Sequence, residues 1–467
     1  MGFIILEAEN PNLSYVIKKN PMTLFKPKPI RKGICFGWYH DENTTNGSSD
    51  CKETIESKSN TCYVMRFIDS GEEVSFPRHR GDKNDYLPYM QYCAPHLMPC
   101  IIKEMLGTAL NQGSEYDMQC KCSLKQGVVK LSGKAINLID KMNTFVKQYT
   151  IVILPTNVPK IYKLTIASES STVSNLLQYA YLLGWVFTCL TFHYIESPDI
   201  HVLRKLIGIM NNLNIPYYIR YVLKNYLFCR KNFDTLKVEL EGKESISMVY
   251  GNTQSQRYDF IFKHVLNFCN ETIDTKTNIH LVDIGCGEGY YVKKLITNLR
   301  LKNIPIVQYC AHDIDENEMD KIFKMIKTEE QYASVVKAYR SIDQLATDLN
   351  ALTKDDKIMI IFSEVVEHIP IDQVKEFMVN VISRINFSKM LTTTPGSEFN
   401  VNYLLEPGTF RHPDHKQEFT RKEFESFMAN ILAEVHTKTN KDIKSEYHLV
   451  GDTVNGIGMS QGIVLSC

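Results

Sequence analysis

Net charge is the first thing this sequence lacks, because 53 lysines and arginines balance 53 aspartates and glutamates over 467 residues. No global field draws such a chain to a polyanion, so any affinity for nucleic acid must come from local basic patches. The 13 cysteines contain no CxxC and are odd in number. That argues against a disulfide framework or a zinc ribbon and for a reducing, cytoplasmic location. The single CxC, Cys120 and Cys122, reads as two strand cysteines. A signal peptide is not expected, since the opening MGFIILEAEN has no charged segment and meets Glu7 at once. Leu6 stands where a myristoylation signal needs Ser or Thr. The most apolar run, Leu176 to Phe192, is short for a membrane span and contains Gln178, Gly184 and Thr188. It is expected as a buried helix and a following strand, with no membrane partner.

What the sequence does have is enough apolar material, 44%, for two domains with separate cores. Residues 1–240 read as an α+β domain. Strands are expected at Gly2 to Leu6, Ile34 to Tyr39, Tyr63 to Ile68 and Val128 to Leu131, with a turn-rich stretch from Asp41 to Ser59. Helices are expected at Leu97 to Leu110, Ser174 to Leu183 and Asp199 to Leu213. Two parts are locally basic. The charges between Pro11 and His40 are Lys18, Lys19, Lys26, Lys28, Arg31 and Lys32, and the segment Arg220 to Lys237 interleaves Arg220, Lys224, Arg230 and Lys231 with Tyr221, Tyr226 and Phe228. Such interleaving suits a single-stranded nucleic acid, where cations track phosphates and rings stack on bases. It equally suits an amphipathic helix with a solvated basic face.

A linker near Glu241 to Asn252 leads to a second domain, 250–467, in which strand and helix alternate. Strands are expected at Ile279 to Ile284, Ile304 to Ala311, Val335 to Tyr339, Ile358 to Phe362, Lys389 to Thr393, Glu446 to Val450 and Gly462 to Leu465. Helices are expected at Gln256 to Phe268, Glu316 to Ile326, Asp372 to Ile382 and Arg421 to Leu432, the last opened by a Thr420/Glu423 capping box. This order implies a mostly parallel sheet covered on both faces. Its first strand ends in Asp283, Ile284, Gly285, Cys286, Gly287, Glu288, Gly289, a tight turn that lets a ligand approach the backbone at the strand's carboxyl end. A dinucleotide fingerprint would need its last glycine where Tyr290 stands. Further on, Glu364, Glu367 and His368 occupy i, i+3 and i+4 after a buried strand, so a helical turn would converge them on one ion. A fourth ligand has two candidates, His412 and His415.

Together DIGCGEG, EVVEH, TPGSEFN and RHPDHKQEFTRKEF resemble the RNA 3′-terminal ribose 2′-O-methyltransferases, a family that includes plant and animal small-RNA methyltransferases and bacterial RNA-repair enzymes. More weakly, Pro11 to Pro21 (PNLSYVIKKNP), Tyr89 to Ala109 ending in LGTA, the run from Leu176 to His193 and Tyr194, and the basic segment Arg220 to Lys237 resemble the amino-terminal domain of the repair-type enzymes. The resemblance implies a class I S-adenosylmethionine-dependent methyltransferase fold, Rossmann-like with a seven-stranded mostly parallel sheet, preceded by the α+β domain. It implies Glu364, Glu367, His368 and His415 as ligands of one divalent metal and as the catalytic set. It assigns Asp283, Gly285, Gly287, Asp313 and Ser341 to the cofactor, and Arg411 and Ser397 to the RNA end. Gln256, Arg257 and Tyr258 match the QRY ahead of the family's first strand. The family usually has an aromatic residue after DHK and a Trp where this chain has Gln417 and Phe419.

The implied reaction is methyl transfer from S-adenosylmethionine to the 2′-hydroxyl of an RNA 3′ end with free 2′,3′-hydroxyls. Mixed nitrogen and oxygen ligation suits manganese, iron or cobalt better than magnesium, although abundant magnesium could occupy the site. The resemblance also implies an RNA-repair kinase, phosphatase and ligase as partners of the amino-terminal domain. Two alternatives stand beside this reading: an adaptor or activator of a repair ligase with a vestigial methyltransferase, and a methyltransferase acting on a substrate other than RNA.

Overall fold

The computed structural model describes residues 2–21, 26–30, 33–40, 61–69, 92–111, 113–192, 197–242, 245–273, 277–353 and 355–467. Arg31, Lys32, the stretch Asp41 to Ser59, the opening of Tyr89 to Ala109, and His193 with Tyr194 lie outside the described residues. The chain divides into two compact units, Met1–Gly242 and Lys243–Cys467.

The first unit is built on strands β1 (Gly2–Ala8), β2 (Lys26–Ile30), β3 (Gly33–His40), β4 (Thr61–Asp69), β5 (Cys120–Lys130), β6 (Thr150–Pro155) and β7 (Ile161–Ser171). They form one sheet in the order β2-β3-β4-β1-β5-β7-β6, antiparallel at every pairing. Period-two burial decides the register: Ile4, Leu6 and Ala8 are inside while Phe3 is half exposed. Helices Leu97–Asn111 and Val173–Thr191 pack on the sheet and on each other. They approach closely at Gly184, where a Cβ would come within 2.4 Å of Pro99 Cδ. The apolar run expected to split into helix and strand is one helix, capped by the Thr172 side chain. Length and apolarity would let it cross a membrane, yet most of it is buried in this unit's core.

The basic segment after Arg220 is a second correction. It forms helices Tyr217–Leu227 and Arg230–Glu241, but Arg220 and Lys224 are fully buried rather than presented on a surface. Arg220 Nη1 donates to Asn211 Oδ1 (2.7 Å) and to the Leu240 carbonyl (2.9 Å), and Nη2 donates to the Met210 carbonyl (3.1 Å). Burial pulls its pKa down to about 10. Lys224 Nζ lies 5.2 Å from the Tyr221 ring centroid. Arg220 braces neighbouring helices and Lys224 lies over a ring of its own helix, so the interleaved pattern is neither an RNA stripe nor a solvated face at these two buried positions.

The second unit contains β8 (Ile246–Ser247), β9 (Asn278–Ile284), β10 (Gln308–His312), β11 (Val336–Tyr339), β12 (Asp356–Ser363), β13 (Lys389–Pro395), β14 (Lys444–Val454) and β15 (Ile457–Ser466). The order is β11-β10-β9-β12-β13-β15-β14-β8. Pairings from β11 through β13 are parallel, and those of β15, β14 and β8 are antiparallel. Seven strands were expected. The eighth, β8, is two residues long and falls in the stretch read as linker, too short to leave a periodic signal. Along β9 and β12 the buried residues alternate between two cores. Val282, Ile360 and Phe362 meet helices Ile371–Arg384 and Arg421–Thr439 on one face, while Leu281, Met359 and Ile361 meet helices Thr253–Ile273 and Tyr290–Leu301 on the other. Parallel register brings the carboxyl ends of β9, β12 and β13 to one edge, with Asp283 opposite Ile361 and Ser363 opposite Thr393. Strand order reverses between β10 and β12 about β9, the position where open α/β sheets bind ligands.

Candidate active site at the carboxyl ends of the parallel strands

The glycine loop leaves β9 with Gly285, Gly287 and Gly289 all at positive φ (78°, 48° and 76°). At Gly285 a Cβ would meet Val365 Cγ2 at 2.3 Å, so the turn requires glycine twice over, by conformation and by contact. Gly285 and Cys286 N–H groups donate to the His312 carbonyl (2.8 and 3.1 Å), which ties the loop to the end of β10. There Asp313 accepts from the N–H groups of Gly287 (2.8 Å) and Asp315 (3.0 Å). A carboxylate retains acceptor capacity beyond two such bonds. Asp283 lies beneath the loop at 1% exposure and accepts from the Tyr309 hydroxyl (3.1 Å). Burial raises its pKa to about 7, so this carboxyl braces the strand end. Ser341 follows β11 and its hydroxyl caps helix Ile342–Asn350, accepting from the N–H groups of Asp343 (3.2 Å) and Gln344 (3.4 Å).

After β12 the chain does not enter the α-helical turn that the i, i+3, i+4 spacing suggested. Glu364 sits at φ 57°, in the left-handed region that a non-glycine residue adopts only under constraint, and Val366–His368 is a 3-10 turn. Glu364 therefore parts from the other two side chains. Glu364 forms an ion pair with Arg257 (Oε2 to Nη1, 3.0 Å), and its other oxygen accepts from Thr393 Oγ1 (3.2 Å). Among the described residues, ligand atoms of Glu367, His368 and His415 lie within 4.8 Å of one another. Glu364 stands beside this cluster rather than in it.

Glu367 is fully buried. Oε2 accepts from Thr394 Oγ1 on β13 (3.0 Å), while Oε1 has no hydrogen-bond partner among the described residues. Burial, and then the neighbouring Glu364, push its pKa well above the usual carboxylate range. A buried carboxylate with one unpaired oxygen beside two imidazoles is costly unless a cation offsets it. The donor set therefore fits a divalent ion. His368 is exposed at the mouth of the cluster, and its pKa is lowered by partial burial and by His415.

His415 is brought in from a distant segment by main-chain bonds. Lys416 N–H donates to the Glu367 carbonyl (2.7 Å), and Gln417 Nε2 donates to the carbonyls of Val366 and Ile369 (2.6 Å each). Gln417 replaces the family's usual residue with a clamp on the 3-10 turn. Phe419 is core, stacked near Phe424 and Phe427. His415 Nδ1 meets the buried Glu418 carboxylate (2.5 Å), which also accepts from Asn400 Nδ2 (2.6 Å) and Arg411 N–H (2.7 Å). With Nδ1 engaged, Nε2 is the ring atom left for an ion. His412, the other candidate, is exposed and pairs with Asp414 (3.4 Å).

Arg411, expected to face the RNA end, is engaged by the protein itself. Its Nε donates to Asn400 Oδ1 (2.6 Å), Nη1 to the Met459 carbonyl (2.5 Å) and Nη2 to the Gly396 carbonyl. The guanidinium binds three segments of the protein together. Ser397 opens a 3-10 helix, Ser397–Tyr403, and its N–H donates to the Phe419 carbonyl (2.9 Å). Arg257, Thr394, Asn400 and Glu418 are the site residues that motif reading left without roles. Glu418 had one signal, a carboxylate three residues after His415. The QRY segment is explained locally: Gln256 holds the carbonyls of Val249 and Gly251 and the N–H of Asp452, Arg257 holds Glu364, and Tyr258 packs in the core.

A mostly parallel sheet closed by an antiparallel strand pair, with a glycine loop on its first strand, is the class I methyltransferase fold. Residues 3–245, just over half of the chain, match the Hen1 N-terminal domain family, and the chain belongs to that family. It is 29% identical over 186 residues to a small RNA 2′-O-methyltransferase of Caenorhabditis elegans, covering 38% of this chain and 41% of the relative. To one from Xenopus tropicalis it is 26% identical over 182 residues, covering 38% and 45%. The chain thus spans under half the length of these curated relatives. It shares its fold with a chain of the Pnkp1/Rnl/Hen1 RNA repair complex, at TM-score 0.73 and 21% identity over 100% of both chains.

Proposed function

We propose that this protein methylates the 2′-hydroxyl of the 3′-terminal nucleotide of RNA, using S-adenosylmethionine and one divalent cation, manganese or magnesium. The observation that carries the reading is the convergence of Glu367, His368 and His415 within 4.8 Å at the strand edge, with one Glu367 oxygen left unpaired. The curated relatives, small RNA 2′-O-methyltransferases, support the reaction class. When bound, the cation supplies Lewis acidity to the terminal hydroxyls and S-adenosylmethionine supplies the methyl group.

The chain's own residues do the rest. Glu418 fixes the His415 ring through Nδ1, so that Nε2 is presented. Thr394 holds Glu367 by one oxygen and the other has no protein partner among the described residues. Arg257 holds Glu364 alongside the cluster, where its carboxylate would be available as a further ligand. Asp313 offers acceptor sites for ribose hydroxyls beside a loop whose glycines let a ligand reach the backbone. Selectivity for a terminus follows from needing both hydroxyls, because an internal ribose has no free 3′-hydroxyl. Free cysteines throughout the described residues support a cytoplasmic setting.

The test is tritiated methyl transfer to short RNAs ending in a 2′,3′-diol, a 2′-deoxy sugar or a 3′-phosphate. Label on the diol alone, with manganese present, is the expected outcome. Label on all three ends would contradict the reading. The fold shared with a chain of the Pnkp1/Rnl/Hen1 RNA repair complex supports a second role, contact of the amino-terminal unit with an RNA-repair kinase, phosphatase and ligase. Co-elution of the full chain with such an enzyme on gel filtration checks it.

A further inference from the structure

The cavity that stands out in the amino-terminal unit belongs to no part of this chemistry. It measures about 700 Å³ and lies between the segment Ser14–Pro21 and the segment Gly113–Tyr116, a size within the range of roughly 300–1,000 Å³ typical of small-ligand sites. Two aromatic rings flank it. Tyr15 is 62% exposed and Tyr116 is 42% exposed, and their centroids lie 5.2 Å apart at 37°. Large aromatic side chains left this open forgo burial, whereas a stacked base would cover them. Lys18 and Lys19 line the same space, with Glu115 as the opposing charge.

The frame of the cavity is rigid. Asn10, at 1% exposure, bridges its two walls, donating from Nδ2 to the Tyr116 carbonyl (2.9 Å) and accepting at Oδ1 from the Asn12 N–H (2.8 Å). The Tyr39 hydroxyl donates to the Lys19 carbonyl (3.3 Å) and anchors the basic end to β3. Lys18 ends helix Leu13–Ile17 in the left-handed conformation, φ 51°. Glycine or asparagine is the usual occupant of such a position, so a lysine here carries a conformational cost that stability alone does not explain.

We infer that this cavity is a binding site for single-stranded RNA, with a base stacked on Tyr15 or Tyr116 and adjacent phosphates held by Lys18 and Lys19. It is independent of the proposed methyl-transfer site. The chemistry favours a strand over a free nucleotide, because one aromatic platform formed by the two contacting rings, followed by two lysines along the same cleft, matches a base and the backbone phosphates that continue from it.

The test uses the full-length protein and a 5′-fluorescein decauridylate ending in a 3′-phosphate, a terminus that the proposed methyltransferase site does not hold as a diol. Fluorescence anisotropy at two salt concentrations gives the affinity. The double variant Tyr15→Ala/Lys18→Gly removes one ring and one cation from exposed positions, and glycine suits the backbone at 18. It is expected to weaken binding about tenfold or more. Glu115→Gln is expected to tighten binding, a gain that misfolding cannot mimic. Ultraviolet crosslinking should place the strand on the peptides containing Tyr15 or Tyr116. Unchanged affinity in both variants, or binding of uridine monophosphate as tight as that of the strand, would overturn the proposal.

Discussion

Two buried charges in this chain are resolved in opposite ways. Arg220, deep in the amino-terminal unit, spends its terminal nitrogens on three oxygens of neighbouring helices. Glu367, at the sheet edge of the second unit, has one oxygen on Thr394 and the other without a partner among the described residues, with Glu364 and two imidazoles nearby. The first has both terminal nitrogens paired and leaves only Nε without an acceptor among the described residues. The second is incomplete, and an interior tolerates such a group only where something arrives to balance it. A buried charge therefore signals a site where its unpaired atom sits among other ligating groups, as at Glu367, and not through burial or an unpaired atom alone, which Arg220 also has.

The largest effect should come from removing the incomplete charge. Glu367→Gln is expected to lower methyl transfer at least about a hundredfold, while raising the thermal midpoint of the cation-free protein, since an ill-solvated carboxylate disappears. A drop in that midpoint would place Glu367 with Arg220 among structural charges. Arg220→Ala should do the reverse, destabilising by about 3 kcal/mol because three acceptors lose their donors, seen as a lower denaturation midpoint. Restoration by Arg220→Lys would contradict this, as one ammonium cannot reproduce the fork.

Glu418→Gln sharpens the contrast one step out. Loss of the charge behind His415 should weaken metal binding roughly 10–100-fold with little change in unfolding. Gly285→Ala probes the cofactor loop: contact with Val365 and φ 78° should cost more than about 1 kcal/mol, together with weaker S-adenosylmethionine binding by calorimetry.

The smallest effect concerns His264. It is packed on Phe260 and His448, with Lys263, Glu446 and Lys389 also in range, and its pKa is held down to about 4 by burial and then by His448. The unfolded chain binds this proton near the ordinary histidine value of 6.5. Stability is then full above that pH and is lost as pH falls from about 6.5 towards 4. His264→Phe should flatten the thermal midpoint over that window, and an unchanged pH profile would remove His264 from the account.

Motif and periodicity carried the reading where function is local in sequence. The glycine loop, the alternating strands and the Thr420/Glu423 capping box stand where residue order placed them, because each depends on neighbours within a few positions. The grouping of Glu367, His368 and His415 was legible in identity but not in geometry. Nothing in EVVEH shows that Glu364 takes a left-handed conformation, because that is imposed from outside by Arg257 and by its own N–H bond to the Thr393 carbonyl. Arg220 and Arg411 were misread for a related reason. Sequence displays a cation's charge but not the carbonyls that consume its donors, and those come from residues 210, 240, 396 and 459.

The most direct measurement is a calorimetric titration of manganese chloride into the full-length protein and into Glu367→Gln. One equivalent of binding in the first, weakened a hundredfold or lost in the second, is what the cluster of Glu367, His368 and His415 predicts. Equal binding by both proteins would contradict it and leave the unpaired carboxylate oxygen without a role.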